Sequence, residues 1–158
     1  MREVILGMEN KVKELRDKID EIDLKILDLI QSRAIHASKI YEIKKESPDF
    51  DGFFYKPERE KEIIDRLTKR NEGPLKKNNI RNVFKEIISA CLSVEGELSI
   101  SYLGPEGSFS DSAKKDHFGS SVTSKSENAI EGIFKSVETG TTNFGIVPFE
   151  NSSQGVIN

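Results

Sequence analysis

The spacing of apolar residues near the start of the chain constrains its fold more than any other feature. These residues step by three and four, as along the seam of a coiled coil: Val12, Leu15, Ile19, Ile22, Ile26 and Leu29. The next two positions hold Arg33 and His36, and the seam resumes at Ile40 and Ile43. A cation on an apolar face is costly to bury without a partner. The pattern therefore predicts a long helix in which Arg33 meets an anion.

The helical pattern extends over about residues 8–96 and is interrupted twice. Helix-breaking residues fill 47–52, and a Gly-Pro pair stands at 73–74. Pro57, which two glutamates follow closely, suits the first turn of a helix, because its ring is preorganised and acids favour the positive helix end. Three helices are predicted, and an asparagine at 78–79 is expected to cap the third.

The third helix repeats the interrupted seam. Phe84, Ile88 and Cys91 step by four and three, and the next position of that face holds Glu95. A carboxyl group on an apolar face tends to keep its proton. Cys91 is expected to be a small core residue, since nothing beside it in the sequence would activate a thiolate.

The remaining charges of the seam can be placed by helix geometry. Lys44 follows Arg33 by eleven residues, which puts both cations on one side of the helix, roughly 16 Å apart along its axis. Arg16 lies roughly 100° away around the axis and would serve a different cavity, such as one in a partner chain. Arg59 and Glu60 add a cation and an acceptor on the second helix.

Two interpretations of these charges remain open. Charged residues in long helices are mostly solvated, and a buried Arg or Glu can fix register or oligomeric state in a non-catalytic dimerisation module. Arg33, Lys44 and Glu95 together favour a ligand site instead. His36 is assigned no chemistry, and because no cysteine or second histidine stands at ligand spacing from it, no metal is expected.

The pattern changes after Glu97. Residues 98–102 alternate with the period of a strand, and 104–107 form a Gly-rich turn. Ser126 is expected to cap a helix that Gly140 ends, and 144–147 resembles a buried strand. One face of that helix carries Ile130, Ile133, Phe134 and Val137. Alternating strands and helices predict a parallel sheet, and so an α+β chain with a helical domain at 1–97 and a partial α/β lobe at 98–158.

Charge and composition narrow the classes of partner. Residues 1–97 hold 20 basic and 20 acidic residues, and the whole chain holds 24 and 27, so no broad basic field marks a nucleic-acid binder. No apolar run approaches the ~20 residues of a membrane span, and a single cysteine cannot form an intramolecular disulfide. A cytoplasmic protein without nucleic-acid or membrane partners is expected. A hydrophobic content of 35% without tryptophan also favours burial against a second chain.

A known family combines the motifs of the first segment. They stand at residues 15–20, 22–23, 27–30, 56–60, 71–75 and 84–92, with Arg33 and Lys44 between them. They resemble the all-helical class of chorismate mutases, whose fold is a three-helix intertwined dimer. The resemblance implies conversion of chorismate to prephenate by a unimolecular rearrangement, for which a protein needs cations and hydrogen-bond donors but no cofactor.

The resemblance also implies a role for each site residue. Arg33 and Arg16 would bind the two carboxylates of chorismate, and Arg16 would come from the partner chain. Lys44 and Glu95 would face the breaking ether oxygen, and Glu60 would accept from the ring hydroxyl. The remaining positions are peripheral to the chemistry: Arg59 would support the site, Cys91 would line it, and Lys56 would make an outer contact.

Two of these positions differ from well-known relatives. Lys56 stands where some have an acid, and Glu95 stands where some have glutamine. An ionised carboxylate would repel a developing oxyanion, so the resemblance implies that Glu95 acts in its protonated form.

The second segment resembles another family. Residues 102–110 and 146–152 are similar to the prephenate dehydratase domain that follows such mutases in bifunctional enzymes of phenylalanine biosynthesis. The resemblance implies that a prephenate cleft is lined by Glu106, Ser108, Ser110, Glu150, Asn151 and Ser152. The Thr-Arg-Phe motif that supplies the essential threonine of that family does not occur in this chain, which ends at Asn158 as a truncated lobe would. The segment is therefore expected to be inactive.

Overall fold

The fold is described by a computed structural model, which covers residues 2–48, 50, 55–96, 98–151 and 155–156. The chain forms two compact units, 1–36 and 37–158, and each is described by itself. Asp49, Asp51 and Gly52 of the expected first loop lie outside the described residues.

Helix α1 spans Arg2–Lys45 and so begins before the expected start at residue 8. The apolar seam predicted from the sequence lies on this helix and is open to solvent in the single chain, with Leu29 70% and Ile43 71% exposed. Lys44 and Lys45 occupy its last turn, where the negative end of the helix dipole stabilises positive charge. None of the helices in the described ranges has the length and apolar character needed to cross a bilayer.

Helices α2 (Pro57–Arg70) and α3 (Lys77–Glu95) confirm the three-helix prediction. Pro57 opens α2 with glutamates in its first turn, as its preorganised ring predicts. The expected asparagine cap of α3 is wrong. Lys76 is the N-cap, and its side chain makes no capping bond, so the asparagines at 78–79 lie inside the first turn.

A small parallel sheet follows the helices and confirms the expected α+β class. In chain order its elements are β1 (Ser99–Leu103), α4 (Phe109–Phe118), β2 (Thr123–Glu127), α5 (Ile130–Glu138) and β3 (Phe144–Ile146). The strand order is β2-β1-β3, and both pairs are parallel. Two-residue strands β4 (Glu150–Asn151) and β5 (Gly155–Val156) pair antiparallel.

Two local predictions for this lobe are wrong. Ser126 lies in β2 rather than at a helix cap, and Ala129 is the N-cap of α5, without a side-chain capping bond. Strand β3 is only half-buried, and its Gly145 is exposed. The expected helix end is confirmed, since Gly140 adopts a φ of 69° just beyond α5, a conformation that glycine enters without strain.

One hydrophobic core joins α2 and α3 to the sheet. Its buried members are Tyr55, Ile64, Ile88, Leu92, Leu98, Ile100 and Phe118. Successive side chains of a strand point to opposite faces, so Ile100 enters this core while Ser101 turns away and accepts a hydrogen bond from Thr142 at 3.1 Å. Burying each large apolar side chain contributes roughly 1.5–3 kcal/mol, so the sheet and the two helices stabilise one another.

Helix α3 also contacts the turn between α4 and β2 through polar groups. The Ser121 amide donates to the Ser89 hydroxyl at 3.3 Å, and the Ser120 amide donates to the Glu86 carboxylate at 3.2 Å. Gly119 lies directly against Ser89 with a φ of 77°, and a Cβ there would come within 2.5 Å of the Ser89 Cβ. This turn therefore requires glycine both for its backbone and for the close approach to α3.

Candidate active site

Two of the predicted cations lie on the part of α1 that belongs to the first unit. Arg16 is exposed, and Arg33 is half-buried. The flanking seam residues Ile26 and Leu29 are 47% and 70% exposed. In the single chain, the seam residues just before Arg33 are therefore open to solvent.

The second unit holds the other six predicted mutase residues. Lys44 is exposed in the last turn of α1, and its carbonyl accepts from the Ser47 amide at 3.0 Å. Lys56 is the exposed N-cap of α2. Arg59 forms an ion pair with Glu62 at 3.2 Å, and both side chains are largely exposed, so this pair adds little stability.

Glu60 lies in a half-buried, hydrogen-bonded environment. Its carboxylate is half-buried and accepts a hydrogen bond from the Tyr55 hydroxyl at 3.4 Å. Burial raises the pKa of Glu60, and the nearby Lys85 and His117 charges and the Tyr55 bond offset only part of that rise. Burial, followed by the charge of Glu60, also raises the pKa of Tyr55 above its usual range. Tyr55 therefore keeps its proton and remains a donor.

The predicted residues of α3 lie near its C-terminal end. Cys91 is 1% exposed and free, as the core interpretation predicted. Glu95 is the last residue of the helix and is half-buried.

The loops expected to line a second cleft leave the same edge of the sheet. Parallel strands end at one edge, and the loops after β1 and β3 are neighbours there, where ligands of such sheets commonly bind. Glu106 is exposed and Ser110 is half-buried. The Ser108 hydroxyl donates to the Leu103 carbonyl at 3.1 Å and accepts from the Asp111 amide at 3.3 Å, so it caps α4.

Three predicted residues of this cleft are described only in part or not at all. The backbones of Glu150 and Asn151 form β4, and their side chains are not described. Ser152 lies outside the described residues.

An ion cluster around a buried carboxylate beneath this loop had no signal in the sequence patterns. Asp111 is 1% exposed and pairs with Lys114 and Lys115, each at 2.8 Å. The Gly107 amide donates to the same carboxylate at 2.9 Å. Hydrogen bonds from Lys114, Lys115 and Gly107 hold the pKa of Asp111 well below its usual range. The ionised carboxylate therefore stabilises the folded lobe at every pH above the ordinary pKa of an aspartate, and this stabilisation is lost as the pH falls towards the lowered pKa. The cluster fixes the Gly107 turn to α4.

Within the ranges the structure covers, no group of three or more His, Cys, Asp or Glu is arranged to hold a metal ion.

Comparison with known families adds to this geometry. Residues 15–96 match the family described as chorismate mutase type II. The chain belongs to the chorismate mutase type II family. Residues 100–158 match a second family, described as prephenate dehydratase.

Relatives that match along most of the chain are named bifunctional chorismate mutase/prephenate dehydratase. The protein of Stutzerimonas stutzeri is 43% identical over 151 residues, which are 94% of this chain and 41% of the relative. That of Pseudomonas aeruginosa is 40% identical, over 95% of this chain and 42% of the relative. That of Escherichia coli is 30% identical, with the same two shares. The chain thus spans about two fifths of these relatives.

Two residues beside Glu60 were missed by the sequence patterns. Tyr55 lies in the segment before α2, and His117 lies in α4, 62 positions later. The tertiary fold brings them together, and no local spacing could have paired them.

Proposed function

We propose that the chain is a chorismate mutase that converts chorismate to prephenate without a cofactor. The match of residues 15–96 to the type II family supports this, because all eight predicted mutase residues fall within it. Arg16 and Arg33 bind the substrate carboxylates, with Arg16 reaching into the partner's site. Lys44 and protonated Glu95 donate to the ether oxygen, where negative charge grows in the transition state.

The other four residues shape the substrate site. The Glu60 carboxylate accepts a hydrogen bond from the ring hydroxyl of chorismate. Its half-buried position beside Tyr55 suits it to this role. Arg59 supports the site from the same helical turn, and Lys56 makes a peripheral contact. Cys91 is 1% exposed in the single chain, so it lines the site as part of the packed wall behind it. Because the rearrangement is unimolecular, its acceleration comes from holding a compact conformer and from preorganised donors.

We expect the 158-residue chain to convert chorismate to prephenate and to form no phenylpyruvate above the enzyme-free rate. The mutase residues are all present, whereas the Thr-Arg-Phe motif of the dehydratase resemblance is absent. Loss of chorismate absorbance with time measures the first activity, and phenylpyruvate absorbance at neutral pH measures the second. Phenylpyruvate formation above that rate would show that residues 98–158 suffice for dehydration. Absence of chorismate turnover would instead favour the non-catalytic dimerisation module.

The protein is also proposed to be a homodimer whose α1 helices pack together. The exposed apolar side chains along α1 support this: Val12 46%, Leu15 59%, Ile19 55%, Ile22 51%, Ile26 47% and Leu29 70%. A second copy supplies a face of the same spacing. A continuous apolar surface of this length is otherwise unusual on a monomeric protein.

We expect light scattering at micromolar concentration to give the mass of a dimer. Ile22→Glu places a charge in the seam and should yield monomers with reduced helicity. Leu24→Glu is the matched control, since Leu24 is also exposed but lies about 200° from Ile22 around the helix axis. A monomeric wild-type chain, or equal effects of the two substitutions, would contradict dimerisation through the seam.

A further inference from the structure

A row of three side chains links the lobe to the proposed mutase site. The Tyr55 hydroxyl lies 3.4 Å from Glu60 Oε2 and 3.4 Å from His117 Nε2. We name His117, Tyr55 and Glu60 the donor row. Its members come from α4, from the segment before α2 and from the first turn of α2.

The direction of the hydrogen bonds in the donor row follows from the number of protons. An ionised Glu60 carboxylate can only accept, and the Tyr55 hydroxyl has a single proton to donate to it. The Tyr55 oxygen must then accept from His117, whose Nε2 carries the proton. Both distances are long for strong bonds, as catalytic hydrogen bonds often are before a ligand is bound.

The position of the Tyr55 hydroxyl is fixed by its ring. The residue is 5% exposed, and its ring packs against Phe118 and Phe144 at centroid distances of 5.1 and 5.9 Å. His117 meets the same ring edge-on at 6.1 Å and also stacks edge-on against Phe118 at 4.7 Å. Such aromatic contacts leave the ring little freedom, so its hydroxyl is held at one point beside Glu60.

We propose that Tyr55 and His117 are positioning residues that hold the Glu60 carboxylate, ionised and correctly oriented, to accept from the ring hydroxyl of chorismate. This inference rests on the proposed mutase function. Lys85 of α3 and His117 of α4 are the cations that act on Glu60, and Glu58 acts on Tyr55 from α2 itself. A residue of the dehydratase-like lobe thereby contributes to the mutase site.

Tyr55→Phe tests the donor row, because it keeps the ring and removes only the hydroxyl. The bond from Tyr55 lowers the pKa of Glu60, so its loss should make Glu60 hold its proton to higher pH. We expect the acidic limb of the kcat/KM profile to move up by about one pH unit, which is roughly a tenfold loss on that limb. Activity well above the limb should fall less.

Three further variants separate positioning from packing. Tyr102→Phe is the matched control, since it removes a phenol hydroxyl from β1 that is not part of the donor row, and its acidic limb should not move. His117→Ala should move the limb in the same direction as Tyr55→Phe. His117→Gln keeps an amide donor and should recover part of that shift. A shift of equal size in Tyr102→Phe would mean that the effect is structural.

A measurement without substrate makes the result independent of turnover. The carboxyl ¹³C signal of Glu60, assigned by its loss in Glu60→Gln, should titrate at higher pH in Tyr55→Phe than in the wild type. An unchanged midpoint overturns the inference even if the wild type is an active mutase. A raised midpoint in a chain that does not turn over chorismate would support the hydrogen-bonded row and refute the mutase function.

Folding must be followed in the same titration. The pKa of Glu60 is raised in the folded chain, so its contribution to stability is present below its ordinary value of 4.5 and is lost as the pH rises through the folded value. Circular dichroism at each pH shows whether every variant remains folded over the range in which activity is compared.

Discussion

Arg33→Ala and Lys44→Ala are each expected to lower chorismate turnover by roughly 10²- to 10³-fold, since losing one preorganised donor at a developing charge costs about 3 to 4 kcal/mol. The two cations have different proposed partners. Arg33 binds a carboxylate that carries its charge throughout, so its loss should also raise KM. Lys44 faces the ether oxygen, whose charge appears in the transition state, so its loss should act mainly on kcat.

Both variants should remain folded. Arg33 is half-buried and Lys44 is exposed. No side chain of α1 from Gly7 to Lys45 is buried, so truncating either cation leaves no buried counter-charge in that range without its partner. Lys13→Ala is a suitable control, because Lys13 is exposed on the same helix and takes no part in the proposed site. Initial rates with purified variants, beside light scattering, measure the effect. Near-normal rates in both variants would mean that the seam cations are structural and would favour the dimerisation module.

The helical segment was predictable because its signals are local. Steps of three and four predicted α1 and α3, and Pro57 with its following glutamates marked the start of α2. The start of α3 was misplaced because Lys76 precedes the helix without a capping side chain, so the asparagines at 78–79 were a stronger local signal than the one the fold uses.

The strands of the lobe were predictable where they carry apolar residues. The sequence of strand β1 alternates serine with apolar residues, and the strand lies at the centre of the sheet. Strand β2 has the sequence Thr-Ser-Lys-Ser-Glu and is mostly exposed, so it has no apolar period to detect. Backbone pairing with β1, from Ser99 opposite Thr123 to Leu103 opposite Glu127, determines it instead.

The site residues also fall into two groups. Local sequence patterns reveal the first group, and only the tertiary fold brings the second group together. The first group interrupts or flanks an apolar helix face, a pattern that is visible in the sequence: Arg33 and Lys44 on α1, and Glu95 on α3. The contact of Tyr55 with His117 depends on the packing of α4 beside the start of α2, over 62 positions of chain. Polar residues that act through a second side chain leave no periodic signal.

Glu95→Gln is expected to flatten the decline of mutase activity at rising pH while keeping the activity at low pH. A carboxyl group donates to the ether oxygen only when it is protonated, whereas an amide donates at every pH. The resemblance to the mutase family implies that Glu95, the half-buried last residue of α3, acts in its protonated form. The positive charges of Lys44 and Arg33 would favour the ionised form of Glu95 when all three residues bind the same substrate.

The size of the effect depends on how far the pH exceeds the point at which Glu95 loses its proton. Each further unit lowers the protonated fraction about tenfold, so two units above that point the wild type should retain roughly one hundredth of its rate and Glu95→Gln most of it. Glu95→Ala, which can neither donate nor ionise, should be slow at every pH. It separates loss of the donor from gain of a repelling charge.

The measurement is the pH profile of kcat for wild type, Glu95→Gln and Glu95→Ala. It tests whether ionisation of Glu95 lowers the activity, provided that light scattering gives one oligomeric state throughout. The acidic limb of kcat/KM assigned to Glu60 should be the same in wild type and Glu95→Gln, because the donor row does not include Glu95. A decline of equal steepness in wild type and Glu95→Gln would show that another group titrates. The role proposed for Glu95 as the titrating donor would then fail at this position.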